Sequence, residues 1–300
     1  MLPTVLQSAN HCLKRGGPLS GSSTGIRDIF IRANGLRHHL IARGAQGTPI
    51  VMMIHGLTGQ AHAFDRIADK LGERRHVYCL DVRGRGESEW GEADGYQTDN
   101  YVKDAIGVYD GLGLRTISLV GTSMGGMIGM NLAAKHPDRV GRLVLNDIGP
   151  EIDPAGMARI SGAVGPVPIA FLDMKAVVAH HKEVYGGNML MGASNDRIAE
   201  YARWNVRLSD TSLYVWKMDP AVRKMIAPPP TEDAWDTFRK IKCPVLVLRG
   251  AESDVMSVET AKRMTEEIDN CKLVEVANVG HAPMLVEPEA REALETFLPG

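Results

Sequence analysis

The chain has 300 residues, 44% hydrophobic and 23% charged, and its 34 Lys and Arg against 36 Asp and Glu leave a formal net charge of -2. That balance excludes an intrinsically disordered chain, and with no Lys/Arg block longer than two residues there is no electrostatic footprint for nucleic acid or an anionic membrane. No window approaches the roughly 20 apolar residues of a membrane span, and Lys14 and Arg15 follow rather than precede the weakly apolar start, so a cytoplasmic protein is expected.

Residues 1 to about 25 are mixed and end in a Gly/Ser-rich run, Ser20 to Gly25, which reads as a loosely held extension. Asp28 to Arg32 and Leu36 to Ala42 flank Asn34-Gly35, a pair that accepts positive φ at both turn positions, so a β-hairpin opens the regular structure. Short apolar runs then recur at Ile50 to Ile54, Val77 to Leu80, Ile117 to Val120, Leu143 to Leu145, Val245 to Leu248 and Leu273 to Val276. They lack alternation, as strands buried on both faces do. Between them Phe64, Ile67, Ala68 and Leu71 repeat at helical spacing, as do Val102, Ala105, Ile106 and Tyr109, and later Ala290, Ala293, Leu294, Phe297 and Leu298. Strand and helix in alternation predict an α/β fold, a mostly parallel sheet with helices on both faces.

One stretch breaks the alternation. Between Pro150 and Pro154 on one side and Pro228 to Pro230 on the other no strand of the buried type appears, and residues 151–236 read as a helical insertion between core segments 1–150 and 237–300. It is rich in Met and holds Trp204, Trp216 and Trp235, with Tyr185, Tyr201 and Tyr214. These aromatics either pack the insertion's own small core or line a ligand cavity; Trp204, Trp216 and Tyr201, together with Met284 beyond it, are the candidate pocket residues. The four cysteines Cys12, Cys79, Cys243 and Cys271 form no C-x-x-C pair and read as reduced thiols.

Gly121-Thr122-Ser123-Met124-Gly125 matches G-x-S-x-G between the apolar run Ile117 to Val120 and the helix-like Met127 to Lys135. A nucleophile elbow needs that strand-to-helix turn, with small residues flanking an exposed serine. A serine hydroxyl is a weak nucleophile until a base removes its proton, and the base needs an orienting carboxylate. His281 follows the last strand and is the candidate base. For the acid, Asp254 follows the strand Val245 to Leu248 and is preferred; Asp147, after Leu143 to Leu145, is the alternative, with Glu252 a third choice. An acyl intermediate also needs an oxyanion hole. His55-Gly56-Leu57-Thr58-Gly59 follows Ile50 to Ile54, and the backbone N–H groups of Leu57 and Met124 are the expected donors, with His55 bracing the loop.

On these residues the chain resembles the α/β-hydrolase superfamily: His55-Gly56, Asp81-Val82-Arg83-Gly84-Arg85-Gly86-Glu87-Ser88, the elbow at Gly121 to Gly125, Asp254 and His281 occur in order along nearly its whole length. It is most similar to the capped bacterial branch of carboxylesterases, enol-lactone hydrolases and carbon–carbon bond hydrolases of ring-cleavage products. The resemblance implies an eight-stranded core sheet with a helical cap inserted after the sixth strand. It also implies chemistry through an acyl-enzyme, since relatives that open epoxides or displace halide carry aspartate where Ser123 stands. Asp81 to Ser88 is shared by members with unrelated substrates and reads as a structural turn.

The expected activity is hydrolysis of a carboxylic ester or lactone of a small, largely apolar molecule. Hydrolysis of a carbon–carbon bond in a diketone-like product by the same triad is the alternative, and a ligand receptor with slow hydrolysis is the reading from another class. No cofactor or metal is called for: the adjacent pairs His38-His39 and His180-His181 do not share a face. The expected partner is the small substrate, with neither nucleic acid nor membrane, and self-association is open.

Overall fold

The computed structural model describes residues 25–164, 167–185, 194–224 and 232–300. The expected N-terminal extension, Cys12, Pro166 and Pro228 to Pro230 lie outside these residues, Gly25 apart. In chain order the first part holds β1 (Arg27–Ala33), β2 (Leu36–Arg43), β3 (Ile50–Ile54), α1 (Asp65–Leu71), β4 (His76–Asp81), α2 (Thr98–Gly111), β5 (Ile117–Thr122), α3 (Met124–Lys135) and β6 (Val140–Asn146). The insertion follows with α4 (Pro154–Val164), β7 (Ala170–Phe171), α5 (Met174–Tyr185), α6 (Asn195–Trp204), β8 (Val206–Leu208), β9 (Tyr214–Trp216) and α7 (Glu232–Arg239). The last part is β10 (Val245–Gly250), α8 (Val258–Glu267), β11 (Cys271–Val276) and α9 (Pro288–Phe297).

The hairpin forms where Asn34-Gly35 placed it: both turn residues take positive φ, 48° and 80°. Eight strands make one sheet in the order β1-β2-β4-β3-β5-β6-β10-β11, antiparallel only where β2 meets β1 and β4. Successive strand residues serve opposite faces. Met52, Leu119 and Leu143 pack with α2, α3 and α8 through Ala105, Ile128 and Met264, whereas Met53, Val120 and Val144 pack with α1 and α9 through Ile67, Leu71 and Leu294. Because β5, β6, β10 and β11 run parallel in register, with Thr122 beside Asn146, Asn146 beside Leu248 and Gly250 beside Val276, their carboxyl ends form one edge. Crevices at such edges are where open α/β sheets bind ligands.

The insertion is not wholly helical. β7, β8 and β9 pair antiparallel into a separate three-stranded sheet, in the order β7-β9-β8. Strands of two or three residues are too short to show a period of two, so the residue pattern hid them. α7, which spans the boundary expected at 236, buries Trp235 and Phe238 in the same cluster as α3, and Trp235 thus serves the core. Backbone and side-chain bonds tie the insertion to the sheet: Asp153 N–H donates to Val255 O at 2.9 Å, Asp219 N–H to Gly84 O at 2.9 Å, and Tyr96 O–H to Asp219. Cys79, Cys243 and Cys271 are free thiols. Among the described residues no helix is long and apolar enough to cross a membrane.

Candidate active site

At the end of β5 the chain turns through Ser123 at φ 51° and ψ -118° straight into α3. The turn is tight enough that a Cβ at Gly125 would collide with the carbonyl of Ile54, and one at Gly121 with the backbone of Gly125 and Gly126, which is why G-x-S-x-G carries glycine at both ends. The serine therefore stands out on the edge where the strands end.

A hydrogen-bond chain runs from it. Ser123 Oγ lies 2.9 Å from His281 Nε2, and His281 Nδ1 lies 2.7 Å from Asp147 Oδ2. A carboxylate only accepts, so Nδ1 carries the proton and Nε2 is left to accept from the serine hydroxyl. The carboxylate bonded to His281 is that of Asp147, and Asp254, which was expected in that place, is not. Asp147 is fully buried at a positive φ of 56°, its Oδ2 also accepts from Ser253 Oγ at 2.6 Å, and its Oδ1 from Gly250 N–H at 2.9 Å. The loop after β10 thus reaches the acid as a donor through Ser253. Asp254, the next residue, faces the insertion and pairs with Arg159, Nε to Oδ2 at 2.5 Å and Nη2 to Oδ1 at 2.8 Å. The Arg159 guanidinium holds the Asp254 carboxyl below the usual carboxylate range, with smaller help from the nearby His281. Glu252 donates its backbone N–H to Val279 O at 2.9 Å and takes no part in the chain.

Asn146 fixes the three loops against one another. Its Nδ2 donates to Thr122 Oγ1 at 3.0 Å and to Pro283 O at 2.8 Å, while its carbonyl accepts from Ser123 N–H at 3.0 Å. Sequence reasoning passed over this residue, and an asparagine closing a buried strand next to a candidate acid was the available signal.

The His55 to Gly59 loop lies across from the serine. His55 Nδ1–H donates to Gly56 O at 2.7 Å and Nε2 accepts from Val82 N–H at 3.2 Å. Burial pushes this histidine down to about 4, so it is neutral and braces the loop as expected. Leu57 lines the cavity beside Ser123, and Met124 occupies the first position of α3, where a helix leaves its N–H groups without intrahelical acceptors.

Both residues touch Arg85, which is fully buried. Its Nε donates to Leu57 O at 3.1 Å, Nη2 to Met124 Sδ at 3.4 Å, and Nη1 to Arg83 O at 2.9 Å and Tyr101 Oη at 2.7 Å. All four acceptors are neutral, and burial lowers its pKa. Its neighbour Arg83 behaves as a structural turn residue, clamped on Asp104 by bonds of 2.5 and 2.6 Å. The Asp81 to Ser88 turn is thus structural at Arg83 and linked to the site at Arg85.

The serine and histidine open into a cavity of about 110 Å³, walled on the core side by the His55 to Gly59 loop, Phe64 and Pro283 to Leu285, and on the insertion side by Arg159, Ile160, Val184 and Tyr201. Tyr201 and Met284 line it as expected; Trp204 and Trp216 do not. Trp204 stacks on His62 with ring centroids 3.5 Å apart. Trp216 belongs to the small sheet, where it meets Phe171 edge-on at 5.4 Å and donates Nε1–H to Pro168 O at 2.8 Å. Arg203 and Arg223 sit over those same indoles, and Arg207 is exposed on β8. Arg159, which sequence reasoning had not singled out, is the arginine that lines the cavity among the described residues. Among the described residues no group of three or more metal-type side chains forms a metal cluster.

Comparison with known proteins agrees with this architecture. A family model described as the alpha/beta hydrolase fold matches residues 49–288. A 3-hydroxybutyrate-oligomer hydrolase of Cupriavidus necator is 33% identical over 282 residues, covering 87% of this chain and 94% of that protein. A 2-(acetamidomethylene)succinate hydrolase of Mesorhizobium japonicum is 27% identical over 251 residues, covering 83% and 88%. Among solved structures, an alpha/beta hydrolase from Novosphingobium aromaticivorans superposes with a TM-score of 0.81 at 30% identity, covering 92% of this chain and 99% of that one. The chain belongs to the α/β-hydrolase fold family and is a hydrolase of that family.

Proposed function

We propose that the protein cleaves a carboxylic ester or lactone of a small, largely apolar substrate through an acyl-enzyme on Ser123. The observation that carries this reading is the unbroken chain from Ser123 Oγ through His281 to Asp147, opening into a mainly apolar cavity. Ser123 Oγ attacks the carbonyl carbon while His281 Nε2 takes its proton, and Asp147 stabilises the imidazolium. The negative charge that forms on the carbonyl oxygen faces the N–H groups of Leu57 and Met124, and one well-placed donor there contributes about 3 kcal/mol to the transition state. Collapse expels the alcohol, which takes the proton from His281. Water, deprotonated by the same nitrogen, then attacks the acyl-enzyme and releases the acid.

The insertion acts in this reading as a cap that shapes the acyl and alcohol pockets, with residues 151–236 as its approximate extent. A relative named for 3-hydroxybutyrate oligomers supports the choice of bond, since hydroxy acids oligomerise through esters. Replacing Ser123 by alanine lowers turnover of a short-chain p-nitrophenyl ester by about 10⁶-fold, and a serine-reactive phosphonate adds its mass to the Ser123 peptide of the wild type. Undiminished turnover in Ser123→Ala overturns the assignment.

A further inference from the structure

Arg159 is out of keeping with the rest of the cavity wall. Apolar side chains shape much of the volume, among them Leu57, Phe64, Ile160, Val184, Met284 and Leu285, and Arg159 is the one Lys, Arg, Asp or Glu among the described residues that line it. Arg159 is one-third exposed and comes from α4. A charge this little exposed is costly unless it is paired, and Asp254 supplies one partner.

Its pairing with Asp254 uses Nε and Nη2 only, and Nη1 donates to no described residue. The guanidinium is thus held by one edge with the other left over, the arrangement in which a planar fork accepts a second carboxylate. Its distance from the chemistry is fixed by two consecutive residues: Ser253 Oγ grips the triad acid at 2.6 Å and Asp254 grips Arg159. The helix that carries Arg159 is pinned at the same place, because Asp153 N–H bonds Val255 O at 2.9 Å and a Cβ at Gly156 would strike the Asp254 carbonyl. A cation positioned this firmly relative to Ser123 costs little further ordering when it binds an anion.

We propose that Arg159 binds a carboxylate of the substrate, so that the protein prefers esters bearing a free acid group over neutral ones, with Asp254 pairing one edge of the guanidinium and moderating its charge. This rests on the ester-hydrolase reading above and names the substrate class for it. Asp254 partly offsets the Arg159 charge. Removing the Asp254 charge should therefore strengthen the preference, which a purely structural ion pair would not do.

The test compares probe pairs that differ in a carboxylate: p-nitrophenyl hemiglutarate against p-nitrophenyl pentanoate for the acyl side, and ω-acetoxybutanoate against its methyl ester for the alcohol side. The wild type shows a kcat/KM ratio of about tenfold or more for the acid over the neutral partner in at least one pair. Arg159→Gln abolishes that ratio, Arg159→Lys keeps part of it, Asp254→Asn raises it, and Arg203→Gln on the same insertion leaves it unchanged. Glutarate binding followed by calorimetry on the wild type, lost in Arg159→Gln with an unchanged circular dichroism spectrum, gives a readout independent of turnover. A wild type that hydrolyses both members of each pair equally through Ser123 and binds no glutarate overturns the proposal while leaving the ester-hydrolase reading standing. Turnover of every ester that survives Ser123→Ala overturns that reading instead, and calorimetry still decides whether Arg159 takes a carboxylate.

Discussion

The two walls of the cavity are built differently. On the sheet side, Asp147, Asn146 and Arg85 are fully buried, and Asn146 and Arg85 tie the loops around Thr122, Pro283 and Leu57 by hydrogen bonds. On the insertion side, Arg159 is partly exposed, Ile160 and Val184 are half-buried, and the contacts are mostly apolar. A buried polar network has few arrangements that satisfy it and so holds reacting groups in one geometry. A half-buried apolar wall tolerates substitution and sets what fits. On the proposed reading, chemistry belongs to the sheet edge and selectivity to the insertion.

Acid gives the largest change in stability expected, and it reaches both regions. His55 on the sheet side and His181 in α5 are each held neutral by burial, at about 4 against an ordinary 6.5. A histidine that protonates more readily unfolded than folded stabilises the fold above pH 6.5 and loses that contribution as pH falls toward 4, by about 3 kcal/mol for each residue. His39 works on the other side: burial opposes protonation, but the hydrogen bond and charge of Asp81 win and raise its pKa. Its contribution is complete below pH 6.5 and fades as pH rises through its folded value. Urea midpoints measured from pH 7.5 to pH 4 should therefore fall below pH 6.5, and His181→Gln should flatten part of that slope. A flat profile contradicts the neutral assignment of both residues.

Arg85→Met comes next in size. It removes the donor shared by Leu57 and Met124, and kcat should fall about 10²-fold with KM within threefold and an unchanged pH profile. Arg85→Lys should recover part of the loss. A change in KM alone would move Arg85 from the chemical wall to the selective one. Smaller still, Ile160→Ala on the insertion should raise KM by about tenfold for a short-chain ester, since a few methylenes of apolar contact are lost. A fall in kcat with unchanged KM would break the division between the walls.

The sequence disclosed the first wall better than the second. Asn34-Gly35, the unalternating apolar runs and the strand-to-helix setting of Ser123 each follow from backbone rules that act over a few residues. His281 followed from its place after the last strand. The acid did not, because Asp147 and Asp254 both follow buried strands that are neighbours in register, Asn146 beside Leu248. Which one meets the histidine depends on a positive φ at Asp147 and on Ser253 arriving where Asp254 was expected. Neither is written in hydrophobic periodicity. The insertion was less legible for a related reason: its strands are two or three residues long, and Trp204 and Trp216 found partners in His62 and Phe171 instead of the cavity. Arg159 gave no local signal at all, since its meaning comes from α4 docking on the loop that holds Asp254.

The identity of the orienting acid tests the account most directly. Asp147→Asn and Asp254→Asn, measured side by side on a neutral short-chain p-nitrophenyl ester with both variants shown to be folded, should separate by orders of magnitude. Asp147→Asn is expected to lower kcat by about 10⁴-fold, because the amide no longer holds the Nδ1–H tautomer of His281. The loss in Asp254→Asn should be at least about 100-fold smaller, since that residue pairs with Arg159 and not with the base. An equal or greater loss in Asp254→Asn would contradict the assignment of Asp147.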